Sequence, residues 1–273
     1  MAEPVRTRPA LETQTEEEVP STFVRWVRGA DGRFEPRSFP LTPEAFLDPR
    51  VGDTMVQGYS HAIASMELFE LVRRHFLSRP DVLVMHDVKH LLEPRRGPSP
   101  DLSVILGAQN IDRNMESYNL ARYGIAPSLI IEVVSPKDSR IRRVDEEDKV
   151  GLYARVGVAE YILEDMPRSG TGWRYRLRGY RLDEKRRYRD IVPDAQGRLL
   201  SQTTGLLFGV SPQGDRIEVT VAATGERLLY PIEEAEARRA AEKRAAQETE
   251  VRKAAEAEID RLRREIDRLR CGE

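Results

Sequence analysis

The sequence predicts an α/β protein that ends in one long helix, and three observations carry the prediction. Leu129, Ile130, Ile131, Val133 and Val134 form a mostly β-branched apolar run with the length of a buried strand rather than a helix. Asp145, Lys149 and Tyr153 then recur at i, i+4 and i+8 on one face of a helix that Gly157 closes. From Ile232 the composition turns to Ala, Glu, Arg and Lys with no Gly or Pro before Gly272, as in a single long helix.

A chain of 273 residues holds one substantial domain with appendages. Apolar residues at 40% and charged residues at 33% fit a folded core carrying a charged extension. The expected division is a disordered segment over 1–20, a folded domain over 21–230 and a helical tail over 231–273. The formal net charge of −2 gives no global attraction to nucleic acid, so any phosphate binding must come from local patches. Cys271 is the only cysteine, which excludes an internal disulfide and fits a reducing compartment. No apolar run reaches the length of a membrane span and the N-terminus lacks a signal-peptide core, so a soluble cytoplasmic protein is expected.

Met1 to Pro20, rich in Glu, Thr and Pro, has little to bury. Phe23, Trp26, Phe34 and Phe39 surround G-A-D-G, a turn signal that predicts a short hairpin. Thr42-Pro43-Glu44 reads as a helix start, with Thr42 as N-cap and Pro43 at the first helical position. His61 to Leu77 is the clearest helix of the first half, with Ile63, Met66, Leu68, Phe69, Val72 and Phe76 as its apolar face. Asp81 to Val88 follows as a strand, and E-P-R-R-G-P-S-P is a loop delivering Pro100-Asp101 to a second strand, D-L-S-V-I-L. Ile111 to Gly124 reads as a mobile loop near a substrate or as a solvated helix, sequence alone favouring the second. Tyr161 to Glu164 is a short apolar strand. Trp173 to Arg178 alternates, with Trp173, Tyr175 and Leu177 on one face and arginines on the other. Those arginines read first as charges that discourage edge pairing, and second as a track for a nucleic-acid backbone. Tyr188 to Val192, Leu199 to Val210, Glu218 to Val221 and Arg227 to Tyr230 complete the folded region.

Glu132 stands in the middle of the apolar strand. An ionised carboxylate buried alone is costly, so a buried Glu is normally paired, protonated or bound to a metal. If the strands that carry Asp101 and Glu132 pair, both carboxylates converge on a divalent cation, with the Val133 carbonyl as a third oxygen ligand. Hard cations take such oxygens, and Mg²⁺ needs only one or two carboxylates besides water and phosphate. Lys149 would orient or deprotonate the attacking water while the metal polarises a phosphoryl oxygen, a division of labour that suits phosphodiester hydrolysis. His61 reads as a capping or surface histidine in preference to a phosphate or metal contact, because no other His or Cys has ligand spacing. Lys137, Arg140, Arg142 and Arg143 read equally as a phosphate guide and as charges that keep a loop soluble.

Pro100-Asp101, then Glu132-Val133-Val134-Ser135-Pro136, Asp145, Lys149 and L-Y-A-R-V-G-V-A-E-Y-I-L together resemble the Uma-two family, within the PD-(D/E)xK phosphodiesterase superfamily. The resemblance covers roughly Leu41 to Gly225, and G-I-A-P-S-L-I-I-E-V-V-S-P is its most specific part. It implies a restriction-endonuclease-like fold, a mixed central sheet flanked by helices. It also implies a DNA endonuclease that uses Mg²⁺, or Mn²⁺, with Asp101, Glu132 and Lys149 as the catalytic set. In that family the lysine is displaced from the strand to the following helix, which explains Val134 in its usual place. Gln57, His61, Ser135 and Asp145 are the accessory candidates. The chain departs from the family pattern at Gln57 in M-V-Q-G, where long relatives often carry Glu, and in a longer Pro136–Val144 loop. Two other classes stay open: a nucleic-acid-binding protein of this fold without turnover, and an assembly protein that acts through its tail.

In that tail Ile259, Leu262, Ile266 and Leu269 form a seam of two heptads. Ile at a and Leu at d favour parallel dimers, and Glu258 and Glu265 at g then face Arg263 and Arg270 at e. An antiparallel pair would set like charges together, so the expectation is a parallel homodimer through 259–270.

Overall fold

The computed structural model describes residues 22–30, 32–55, 59–94, 96–134, 139–165, 168–169 and 172–271. Met1–Pro20, Gln57, Ser135 and Lys137 lie outside the described residues, as do the side chains of Trp173 and of 269–271. The chain divides into two compact units, one ending at Arg227 and one beginning at Leu228.

β1 (Thr22–Arg28) and β2 (Phe34–Pro40) form the hairpin expected around G-A-D-G, in register from Thr22–Pro40 to Arg28–Phe34. α1 (Pro43–Leu47) starts as the sequence indicates, the Thr42 hydroxyl accepting from the Ala45 amide at 3.2 Å. β3 (Thr54–Met55) pairs with β1. α2 (Tyr59–His75) buries Ala64, Ser65, Leu68, Leu71 and Val72, whereas Ile63 and Met66 are 41% and 47% exposed. The docking stripe is set by small Ala64, which packs on Val133, and this turns Ile63 and Met66 outward.

β4 (Val82–Met85) is shorter than the expected Asp81–Val88 strand, because Asp87 at φ 51° turns the chain into β5 (Lys89–Leu91). β6 (Leu102–Leu106) begins directly after Asp101. The polar stretch Ile111–Gly124 is neither a solvated helix nor a free loop. β7 (Ser117–Asn119) pairs in parallel with β5, and α3 (Leu120–Tyr123) is a single turn. Tyr118 is wholly buried there, donating to the Ile125 carbonyl and stacking on Tyr123. A polar composition concealed an aromatic anchor.

β8 (Leu129–Val134) is buried at every position. α4 (Ser139–Arg143), a wide π-helical turn over Val144–Asp148 and α5 (Lys149–Val156) follow without a break, and Gly157 at φ 91° ends them. The remaining strands are β9 (Glu160–Asp165), β10 (Arg168–Ser169), β11 (Gly172–Trp173), β12 (Arg176–Leu182) and β13 (Tyr188–Asp190). A small sheet of β14 (Leu199–Ser201), β15 (Leu206–Val210) and β16 (Ile217–Val221) closes the unit. The expected single strand Trp173–Arg178 is broken at Arg174–Tyr175, where the Tyr175 amide bonds to the Gly214 carbonyl at 3.0 Å. Arg227–Tyr230 supplies only one bridge, Arg227 to Thr220, and no strand. The second unit contains α6 (Pro231–Cys271), one helix of 41 residues. No helix among the described residues is long and apolar enough to cross a membrane.

The central sheet is mixed, six strands in the order β13-β12-β9-β8-β6-β4, with β8 and β9 its parallel pair. Ile130, Val134 and Leu163 pack under Leu152 and Tyr153 of α5 on one face. Val133 meets Ala64 of α2 and Tyr175 on the other. Glu132, alternating with Val133, therefore belongs to the α5 face.

A second buried carboxylate ties the two sheets together. Glu160 at the head of β9 accepts from Ser201 Oγ at 2.5 Å, Thr203 Oγ1 at 2.7 Å, the Gln202 amide at 2.9 Å and Arg181 Nε at 2.8 Å. Burial alone would raise this carboxyl, but those donors hold it below its usual range. A carboxyl depressed by folding stabilises above its unfolded pKa and loses that contribution as pH falls through the folded value. Glu160→Gln is expected to cost about 3 kcal/mol near neutrality. Urea midpoints compared with wild type should converge in acid, and a gap unchanged between neutral and acidic pH would refute this account.

Candidate active site

Asp101 is placed by backbone. The Pro98 and Pro100 carbonyls accept from the His90 and Asp87 amides at 2.8 and 3.0 Å, which fixes the loop entering β6. Gly97 permits the approach: at φ 148° a Cβ would lie 2.1 Å from the His90 carbonyl oxygen. β6 then pairs with β8, Leu102 opposite Ile131, so Asp101 falls beside Glu132. The Asp101 amide donates to Glu132 Oε2 at 3.3 Å, and Asp101 Oδ2 accepts from the Val133 amide at 2.8 Å. An amide and carbonyl of one extended residue address the same neighbouring strand, so the Val133 carbonyl shares the edge that faces Asp101.

Lys149 enters from α5. Its Nζ lies 2.9 Å from Glu132 Oε1 and 2.7 Å from Asp145 Oδ1, with all three side chains at most 3% exposed. Asp145 Oδ1 has no well-aligned hydrogen bond, so that contact is one of charge. The Tyr153 hydroxyl donates to Glu132 Oε1 at 2.8 Å, and the Phe46 ring centre lies 4.2 Å from Nζ, a cation–π contact. The helical repeat thus delivers Lys149 and Tyr153 to Glu132, with Asp145 behind the ammonium. It runs through the π-helical turn, whose Asp145 carbonyl accepts from the Tyr161 hydroxyl at 2.9 Å. Lys149 and Asp145 are thus a buried pair and not a surface one.

His61 belongs to the site, against the surface role its isolation in the sequence indicates. Its Nε2 lies 3.2 Å from Asp101 Oδ1 and the ring is 14% exposed. Nothing local to the helix announced this, because the partner is forty residues away.

The charges are unevenly matched. Burial lowers His61, but Asp101, Asp145 and Glu132 outweigh it and raise the imidazole to about 9. Burial raises Asp101, and His61, the Val133 amide and Lys149 bring it below its usual range. Glu132 is raised to about 8, by burial first and then by Asp101 and Asp145 against the pull of Lys149. Asp145 is raised by burial despite Lys149. Lys149 stands above its usual range, since the two carboxylates overcome its desolvation, and it is therefore a fixed cation and donor rather than a base.

Three carboxyl groups thus face one ammonium and one imidazole, one acid more than there are cations to match. Among the described residues no group of three His, Cys, Asp or Glu is arranged as a metal cage. Two adjacent carboxylates, with one Glu132 oxygen held only by a 3.3 Å amide contact, suit a hard cation that keeps its own waters.

The basic residues between Glu132 and Lys149 separate. Arg142 donates to both oxygens of Asp165, at 2.9 and 2.7 Å, and to Glu146 at 3.0 Å. Arg143 pairs with Glu147 at 2.8 Å on the surface, and Arg140 is exposed. Tyr153 and Phe46 were not singled out by sequence as site residues. The first was legible from its helical spacing; the second, a hundred residues upstream of Lys149, was not.

The Uma2 family model, described as "Putative restriction endonuclease", matches residues 50–222. The chain belongs to the Uma2 family. Among solved structures it is similar to the crystal structure of "a putative nuclease belonging to DUF820 from Anabaena variabilis", at 16% identity and a TM-score of 0.37, covering 67% of this chain and 83% of that one. No curated protein matches. The match spans the strands bearing Asp101 and Glu132 and the helix bearing Lys149, so the site lies inside the Uma2 region.

The charge cluster makes a stability prediction. Lys149→Met leaves Glu132 and Asp145 buried beside each other without their cation and should cost about 3–5 kcal/mol. Urea unfolding near neutral pH measures it, and a loss below about 1 kcal/mol, typical of an exposed pair, would show that Lys149 is not the buried counter-ion.

Proposed function

We propose that this Uma2 protein is a metal-dependent DNA endonuclease in which Asp101, Glu132 and Lys149 act together. The observation that carries the reading is their convergence at the ends of β6 and β8, two carboxylates joined through backbone amides with a buried ammonium beside them. Asp101, Glu132 and the Val133 carbonyl would hold the cation, Mg²⁺ or Mn²⁺. Such a cation supplies charge to a phosphoryl oxygen and makes water a better nucleophile. Lys149 donates rather than accepts a proton, so its part is to orient the water and offset charge on the phosphate. Asp145 holds the ammonium in place and Tyr153 fixes Glu132 Oε1. His61 anchors Asp101 Oδ1 from the α2 side.

Asp101→Asn and Glu132→Gln are expected to abolish cleavage while the fold survives, since each removes one of three carboxyls that compete for two cations. The assay is supercoiled plasmid with Mg²⁺, Mn²⁺ or EDTA, alongside thermal melting. Cleavage by either folded variant at the wild-type rate, or by wild type in EDTA, would refute the assignment.

The second unit supports a further reading, a parallel homodimer. On α6 Ile259, Leu262 and Ile266 are each about half exposed, an apolar stripe at heptad spacing. Glu258 and Arg263 flank it at g and e, which favours the parallel pairing. Two heptads make a weak pair. Sedimentation should show mass falling to the monomer when 259–271 is removed, and equal masses for full-length and truncated chains would overturn the dimer.

A further inference from the structure

β12 carries arginines at alternate positions, and the register shows where they lie. Arg178 is opposite Leu163, and Leu163 is opposite Glu132; Arg176 is opposite Asp165, and Asp165 is opposite Val134. Facing residues of paired strands share a sheet face, so Arg176 and Arg178 lie on the face of Glu132, two strands across. At a strand spacing of about 4.8 Å this is roughly 10 Å from the Glu132 backbone. Between these arginines, Val134 and Arg142 of α4 lies a cavity of about 230 Å³.

The walls of this cavity are not equivalent. Arg142 is locked by Asp165 and Glu146 and its charge is spent. Arg178 is 54% exposed and lies 3.7 Å from Glu146. Arg176 is exposed and makes no ion pair among the described residues. Three guanidinium groups against Glu146 and Asp165 leave one positive charge facing the opening, on an element unrelated in sequence to the residues between Glu132 and Lys149.

We infer that Arg176 and Arg178, with Arg142 as a fixed wall, form a subsite for a nucleic-acid phosphodiester neighbouring the one that is cut. The inference rests on the nuclease reading above and adds to it the surface along which the substrate strand runs. Guanidinium forks suit phosphate oxygens, and contacts of this type set register on the backbone without reading sequence. The arginines therefore do more than block edge pairing. An acidic peptide is the other ligand class such a charge would admit, and the site's place in the row of Glu132 favours the phosphodiester.

The test is Arg176→Gln/Arg178→Gln, with Arg174→Gln as control, because Arg174 lies along Gly214 and outside the cavity lining. Binding of a labelled duplex is followed by anisotropy across a salt series, with Ca²⁺ replacing Mg²⁺ to suppress turnover. Each phosphate contact contributes about −0.9 to the slope of log K against log salt. The double variant should lose about one to two units of that slope and about tenfold in affinity for every sequence alike, while the control matches wild type. Arg176→Gln alone is carried in parallel and should lose about one unit should the double variant unfold. Wild-type slope and affinity in the folded variants would overturn the subsite and leave the nuclease reading standing. Polyglutamate displacing the duplex as effectively as unlabelled DNA would also overturn it, in favour of an acidic-peptide site. Wild type that neither binds nor cuts DNA would bring down both.

Discussion

The ammonium of Lys149 is buried from bulk solvent, and much of the Uma2 unit is arranged so that it can be. A buried cation is tolerated only where carboxylates and hydrogen bonds replace its hydration. Two carboxylates do this from different directions: Asp145 from the same helix and Glu132 from the strand beneath. The arrangement requires α5 to lie directly on β8 and Asp145 to stay within reach through the π-helical turn. Phe46, from a separate short helix, then covers the ammonium. Removing one member alone is costly, but replacing a whole buried cluster of this kind with well-packed apolar groups is often neutral or stabilising, so stability alone does not account for it.

The second carboxylate pair is positioned by backbone rather than by side-chain packing. Asp101 reaches Val133 because β6 and β8 are in register and because the loop before β6 is pinned through Pro98, Gly97 and Pro100. Lys89 reinforces that loop, its ammonium bonding Asp48 at 2.5 Å and the Gly97 carbonyl. A displacement of one residue along β6 would turn Asp101 to the other face. The site therefore inherits its accuracy from sheet register, the most rigid feature available to it.

This explains what could be read from sequence. Glu132, Lys149 and Asp145 were legible because their signals are local: a charge inside an apolar run and a four-residue helical repeat. Asp101 was legible because a Pro-Asp pair opens a strand. His61, Phe46 and Tyr118 were not, since each owes its role to a partner brought close only by the fold. Leu68, Val72 and Phe76 of the expected helix face are buried, but Ile63 and Met66 are exposed for a related reason. Periodicity counts large residues, whereas the contact with β8 is made by small Ala64, which allows the helix close to Val133. Trp173–Arg178 has unbroken alternation in sequence, yet Gly214 captures the Tyr175 amide and splits it. A loop contact of that kind leaves no periodic trace.

Glu164 sharpens the account of why one face of the sheet bears the chemistry. It stands beside Glu132 across the parallel pair, one residue on, and is as deeply buried. Yet its Oε2 has no hydrogen-bond partner, and burial, with Asp101 behind it, raises the carboxyl to about 8. At neutral pH it is therefore largely a neutral acid on the α2 face, costing desolvation of a polar group but not of a charge. Glu132 is raised to the same value, again by burial first, but inside a stronger balance in which Lys149 pulls it down while Asp101 and Asp145 push it up. One carboxyl is neutral because burial and neighbouring carboxylates outweigh the pull of His61. The other is held between an ammonium and two competing carboxylates, so a further positive charge beside Asp101 would tip it toward the ionised form. The contrast separates a carboxyl set inside a charge cluster, the one that the proposed function assigns to a cation, from a carboxyl that is chiefly buried.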